Sequence, residues 1–112
     1  MMNQVILVAR INDIEPAEEY GTDSKTVILK SPNQFKNDEG VYEDNLFDVV
    51  LKGNIATNTM EYCTKGDIIG IKGHLESFKY SKGSKNFRRT IIVADKVTFL
   101  SSHSSEVMNN EI

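Results

Sequence analysis

The sequence predicts an all-β fold: a five-stranded Greek-key barrel with one helix between strands 3 and 4 and a long hairpin projecting between strands 4 and 5. Three observations predict it. Asp67–Tyr80 and Phe87–Leu100 both read as strands of about fourteen residues, where five or six is usual. Three shorter apolar stretches precede them, and the one helical pattern, Asn54–Lys65, falls between the third and fourth strands. A two-stranded ribbon that long cannot bury its own faces, so it must coil onto the other strands.

Gln4–Ile11 is apolar on both alternations, with Val5, Leu7, Ala9 and Ile11 on one and Ile6 and Val8 on the other. Such a strand is expected to be covered on both sides, by the barrel core and by something else, for which a second subunit is one candidate. Asp13–Ser24, containing Pro16 and Gly21, reads as an acidic loop, and Thr26–Ser31 as a short strand. Pro32–Asn45 is a long polar loop or hairpin excursion, with Asn37-Asp38-Glu39-Gly40 as a turn signal. Phe35 stands out there: a large ring in a polar loop either tucks back onto the barrel or waits for a ligand.

Leu46–Lys52 is the third strand, with Phe47, Val49 and Leu51 expected in the core. Asn54 suits the helix N-cap and Gly66 the left-handed position after the last turn. In the fourth strand Ile69, Ile71 and Leu75 alternate with Lys72, His74 and Glu76, as a half-buried strand requires. Gly70 and Gly73 interrupt it as a bulge or barrel corner does. Ser81-Lys82-Gly83-Ser84-Lys85-Asn86 is the expected turn. This order of elements is that of the OB type of barrel.

At 112 residues the chain has room for one domain, which buries about two-thirds of its unfolded surface. We expect residues 1–100 to form it and 101–112 to be a flexible polar tail. No apolar run approaches the roughly 20 residues of a membrane span, and no secretory leader is visible. The single cysteine, Cys63, permits no internal disulfide and fits a reducing cytoplasm.

Net charge is −3, but its distribution matters more. Residues 12–24 carry −5 and residues 36–48 carry −4. From Lys72 to Arg89, by contrast, Lys72, Lys79, Lys82, Lys85, Arg88 and Arg89 face Glu76 alone, a balance of +5. Phe78, Tyr80 and Phe87 lie among them. Rings interleaved with cations suit a single-stranded nucleic acid, since rings stack on any base and cations follow the backbone. The plainer reading is a solvated hairpin whose aromatics cover its base.

Several stretches resemble the bacterial single-stranded DNA-binding protein family. Met2–Arg10 resembles the opening M-N-x-V-x-L-x-G-R, and Phe47–Gly53 resembles the third strand. Glu61–Asp67 resembles E-Y-L-x-K-G-x, Ile71–Leu75 resembles V-E-G-x-L, and Val93–Leu100 resembles V-A-D-x-V-x-F-L. They occur in family order and at family spacing across residues 2–100. The resemblance implies non-specific binding of single-stranded DNA during replication, recombination or repair, by a tetramer built from dimers or by a dimer. Replication or recombination proteins are the further partners implied. The family's stacking positions fall on Phe35, Leu46, Lys52 and Tyr80, of which two are rings here. Asp48 and Glu76 stand at positions usually basic, and Ala9 where glycine is usual. The acidic tail ending in Ile-Pro-Phe is absent; the chain ends Asn109-Asn110-Glu111-Ile112, which fits a short paralogue or a trimmed chain.

The expected DNA-binding residues are Arg10, Phe35, Lys52, Lys72, Phe78, Lys79, Tyr80, Lys82, Lys85, Arg88 and Arg89. No cofactor, metal or enzymatic activity is expected. His74 and His103 have no cysteine or carboxylate at zinc-ligand spacing, and Cys63 lacks an activating histidine. The nearest alternative is a primosome-type relative that uses the same fold chiefly to contact a helicase or primase. A more distant one is an OB module serving only as a protein interface.

Overall fold

Strand-forming sequence here is continuous enough to close on itself. The computed structural model describes residues 1–101: Ser101, expected to begin the tail, ends a strand, and 102–112, His103 among them, lie outside the described residues. The elements are β1 (Val5–Pro16), a 3-10 turn (Glu18–Tyr20), β2 (Lys25–Pro32), β3 (Asp44–Leu51), α1 (Gly53–Tyr62), β4 (Ile68–Lys82) and β5 (Lys85–Ser101). They form a closed barrel in the order β1-β2-β3-β5-β4, with β4 returning to β1. Closure between β3 and β5 is parallel and short, pairing Val49 with Ile92 and Val50 with Val93. The predicted five-stranded barrel with one helix between the third and fourth strands is the observed fold.

The interior holds Ala9, Ile11, Val27, Leu29, Val49, Leu51, Ile69, Ile71 and Ala94, with Ala56 and Cys63 of the helix region closing one end. These residues alternate along their strands with residues on the outer face of the barrel, the period of a pleated strand. Outside the barrel wall, Val50, Ile91 and Val93 form a second buried cluster, covered by Tyr20 and Phe78.

The structure corrects several expected boundaries. β1 does not stop at Ile11: it passes a bulge between Ile11 and Asp13 and pairs with β2 as far as Pro16. Acidic residues are poor strand formers, which hid this half of the strand. Phe47, expected in the core, is 36% exposed. β5 pairs with β3 only at Val49 and Val50, so residues 44–48 have a neighbouring strand on one edge alone. Lys52, not Asn54, occupies the N-cap position, and the helix ends at Tyr62. Gly66 instead serves a separate turn. Its N–H donates to Ile11 O, and Asp67 accepts from the Thr64 N–H.

The expected six-residue turn is a two-residue one. β4 and β5 pair all the way to Lys82↔Lys85, leaving only Gly83 and Ser84 between them. Gly83 has φ 67°, and a glycine with positive φ at the first central position is the requirement of a II′ hairpin turn. Lower down, Lys72 pairs with Lys96 and Gly73 with Ala94, so Asp95 is an extra residue on β5. A Cβ at Gly73 would lie 2.3 Å from the Val93 carbonyl oxygen; the bulge therefore needs glycine opposite it. Gly70, the other expected interruption, sits in ordinary register, with only van der Waals neighbours around a hypothetical Cβ.

Candidate nucleic-acid interface

The hairpin sorts its side chains by strand alternation. Phe78 pairs with Arg89 and Tyr80 with Phe87, which puts these four on one face; Lys79 pairs with Arg88 on the other. On the first face the rings line up. Phe78 and Tyr80 have centroids 6.3 Å apart and planes 17° from parallel, and Tyr80 and Phe87 follow at 5.4 Å and 21°. Tyr20 meets Phe78 edge-on at 4.7 Å. Tyr80 and Phe87 are each 40% exposed. The outer parts of this row thus offer ring faces to solvent, while Tyr20 and Phe78 anchor it on the second apolar cluster.

Arg89 lies over three of these rings, its guanidinium carbon 5.3 Å from the Tyr20 centroid and 5.7 Å from those of Phe78 and Tyr80. It also donates to the Tyr20 hydroxyl. The other hairpin cations are differently placed. Lys79, Lys82, Lys85 and Arg88 form no ion pair among the described residues, and Lys82 and Lys85 flank the turn. Lys79, Tyr80, Ser81, Asn86, Phe87 and Arg88 line an open cleft of about 780 Å³ at the tip.

At the base of the row the electrostatics change. Lys52 Nζ lies 3.7 Å from a Glu76 oxygen. The His74 ring bridges two carboxylates, Nδ1 to Asp95 at 2.9 Å and Nε2 to Glu76 at 2.6 Å. Asp95, then Glu76, raises the His74 pKa above its ordinary 6.5, because the imidazolium can donate to both. His74, then Lys52, holds the Glu76 carboxyl below its ordinary 4.5. Glu76, two residues before Phe78, and Asp95 at the bulge are therefore each engaged by a local partner.

The remaining expected residues lie elsewhere. Lys72 shares the alternation of Phe78 and Tyr80 but sits six residues earlier, about 20 Å along the strand, opposite Lys96 and Ile6. Arg10 donates to the Gly66 carbonyl at 2.5 Å and is tied to the turn after the helix, away from the rings. Phe35 is 80% exposed and touches no other ring among the described residues. Its loop is a hairpin excursion. Asn33 N–H donates to Glu43 O and Asn37 N–H to Val41 O, while the Asn37 side chain accepts from the Glu39 and Val41 N–H groups.

Sequence reasoning left Tyr20 out and noted Phe87 without selecting it. The available signal for Tyr20 was a large ring in an otherwise polar, acidic loop, the same signal that singled out Phe35. For Phe87 it was the pairing across the hairpin, since any turn centred on Gly83 and Ser84 sets it opposite Tyr80.

The fold has known counterparts. The model of the single-strand binding protein family matches residues 2–100. The single-stranded DNA-binding protein B of Bacillus subtilis is 33% identical over 104 residues, covering 89% of this chain and 91% of that protein. The single-stranded DNA-binding protein of Clostridium tetani is 32% identical over 119 residues, covering 97% and 81%. Among solved structures, a Plasmodium falciparum SSB in complex with ssDNA superposes with a TM-score of 0.67 at 20% identity, covering 90% and 96%. A small single-stranded DNA-binding protein from Mycoplasma pneumoniae gives 0.64 at 20% identity, covering 87% and 92%. The family is one of DNA-binding proteins without enzymatic activity, and no described helix is long and apolar enough to cross a membrane. From its second residue to its hundredth, the chain belongs to the single-strand binding protein family.

Proposed function

We propose that this protein binds single-stranded DNA without reading its sequence, stacking bases on Tyr80, Phe87, Phe78 and Phe35. The phosphates run along Lys79, Lys82, Lys85, Arg88 and Arg89, with Lys52 and Lys72 at the base of the ribbon. The observation that carries the reading is the row of near-parallel rings beside cations that no carboxylate among the described residues occupies. Ring faces accept every base, and free cations exchange condensed counterions for phosphate contacts. Names of the relatives and the DNA-bound structural neighbour support the same reading. The role that follows is to cover single strands exposed in replication, recombination or repair.

The protein acts as an oligomer in this reading. Ile6 and Val8 are 73% and 57% exposed on the outward face of β1, and a second copy would cover them. Arg10, by contrast, is a structural residue in our reading, since its guanidinium already serves the Gly66 carbonyl.

Fluorescence-anisotropy titration of labelled oligo-dT at several salt concentrations tests the proposal. Mixed-sequence single strands should bind within a few-fold of oligo-dT, and duplex of equal length far more weakly, because its bases are not free to stack. Equal competition by duplex would reduce the hairpin to a general polyanion patch. An absence of DNA binding would favour a protein-contacting role for the same barrel.

A further inference from the structure

The row of rings does not end on the hairpin. Tyr20 comes from the 3-10 turn after β1 and stands edge-on to Phe78, so the barrel itself contributes the fourth ring. Arg89 joins this ring to the others. One guanidinium lies over Tyr20, Phe78 and Tyr80 and donates to the Tyr20 hydroxyl. Bases need those same ring faces, so the cation and a stacked base compete for one place.

The competition has a definite direction. Cation–π contact and a hydrogen bond to a neutral hydroxyl are weaker than the bidentate, charge-assisted pair an arginine makes with phosphate. A phosphate arriving at the hairpin therefore draws Arg89 off the rings and opens them to the bases that accompany it. On the barrel side, Glu15, Glu19 and Asp48 line the cleft of about 290 Å³ that Tyr20 and Arg89 share. Those carboxylates repel a DNA backbone from the cleft, so the strand must approach over the outer edge of the row. They also give the arginine a reason to stay folded inward while DNA is absent.

We propose that Tyr20 is a DNA-contacting ring and that Arg89 is its displaceable cover, lying on the rings in the free protein and on a phosphate in the complex. This rests on the stacking reading above, and the test keeps the two apart. Oligo-dT carrying 5-iodouracil is photocrosslinked to the intact protein, which is then digested with trypsin. The peptide 11–25 has Tyr20 as its single aromatic residue, so an adduct there reports that ring. We expect adducts on this peptide as well as on those of the hairpin. Tyr20→Leu, which keeps an apolar side chain over Val50, Ile91 and Val93, should lose the adduct and bind about tenfold more weakly.

Tyr20→Phe keeps the ring and removes the acceptor that holds Arg89; it should bind about two- to fivefold more tightly than the parent. Arg89→Gln and Arg88→Gln should each flatten the slope of log affinity against log salt by about 0.7. Arg89→Gln should nevertheless lose less affinity, because it uncovers rings while Arg88→Gln does not. Adducts confined to hairpin peptides would overturn the role of Tyr20. Equal losses in Arg88→Gln and Arg89→Gln, or a Tyr20→Phe variant as weak as Tyr20→Leu, would overturn the cover. No adduct anywhere, with no binding of oligo-dT, would overturn the stacking reading itself.

Discussion

Two apolar surfaces lie open on the outside of this barrel, and they are made of different side chains. The first is aliphatic. Ile6 and Val8 project from β1 and Leu100 from β5, and Val8 and Leu100 both approach the bare backbone of Gly70. The second is the aromatic row of the hairpin, interleaved with arginine and flanked by lysines. Both put apolar carbon in water, so extent alone does not distinguish them. Flat rings offer faces to bases and to cations, whereas branched aliphatic chains offer interdigitating knobs that suit another protein surface. The kind of exposed carbon, not the amount, separates the face we assign to nucleic acid from the face we assign to self-association.

Exchanging what each surface offers breaks the comparison most directly. Tyr80→Ala should cost roughly 1–3 kcal/mol of oligo-dT binding, about tenfold to a hundredfold, with the salt slope nearly unchanged. Phe35→Ala should fall in the same range, and anisotropy titration reads both. Parental affinity in Tyr80→Ala, with binding abolished in a charge variant, would mean that charge alone holds the DNA. On the aliphatic side Ile6→Glu should yield smaller particles by light scattering, with β-sheet circular dichroism intact. An unchanged mass, or a parent that is already monomeric, would refute the use of β1 as an interface.

Smaller effects sharpen the same contrast. Lys82→Ala removes a charge and no ring, so it should flatten the salt slope by about 0.7 and matter less at high salt than at low. Least of all is the pH effect from the base of the row. The His74 pKa is raised, so its bridge stabilises fully below about 6.5 and is lost as pH rises through the folded value. The Glu76 pKa is lowered, so its contribution is present above about 4.5 and is lost as pH falls through the folded value. Thermal stability should therefore be greatest between these limits and decline modestly on the alkaline side. His74→Gln should remove that alkaline decline; an identical pH profile in the variant would show that the bridge contributes nothing.

Much of the barrel was legible because its strands alternate. Val27 and Leu29, Val49 and Leu51, and Ile69 and Ile71 carry the period that a one-sided sheet demands. The second half of β1 was not, since Asp13 and Glu15 alternate with Ile14 as a surface loop could. Phe47 has the right parity for the core, but the reach of β5 decides its burial, and pairing partners are not written in a local pattern. The site was legible in part. Ring and cation interleaving marked the hairpin, and alternation along the fourth strand already parts Phe78 and Tyr80 from Lys79; a turn centred on Gly83 and Ser84 then pairs Tyr80 with Phe87 whether it is six residues long or two. Tyr20 joins the row only through tertiary structure, and Arg10 leaves it for the same reason.

The extra residue at Asp95 has a consequence for how this chain can change in length. Before it, even-numbered positions Ile92 and Ala94 of β5 face the core; beyond it, odd-numbered Val97 does. The bulge is thus a parity switch between the barrel and the ribbon. Removing one residue between Arg89 and Ala94, with the pairing in the barrel held, would put Asn86 and Arg88 where Phe87 and Arg89 stand and turn Phe87 to the face away from Phe78 and Tyr80. The excursion 33–43 has no such phase to keep, and insertions there leave every strand in step. Along β5, counting matters as much as chemistry: a variant can alter many letters and keep its grip on DNA, yet lose it by being one letter short.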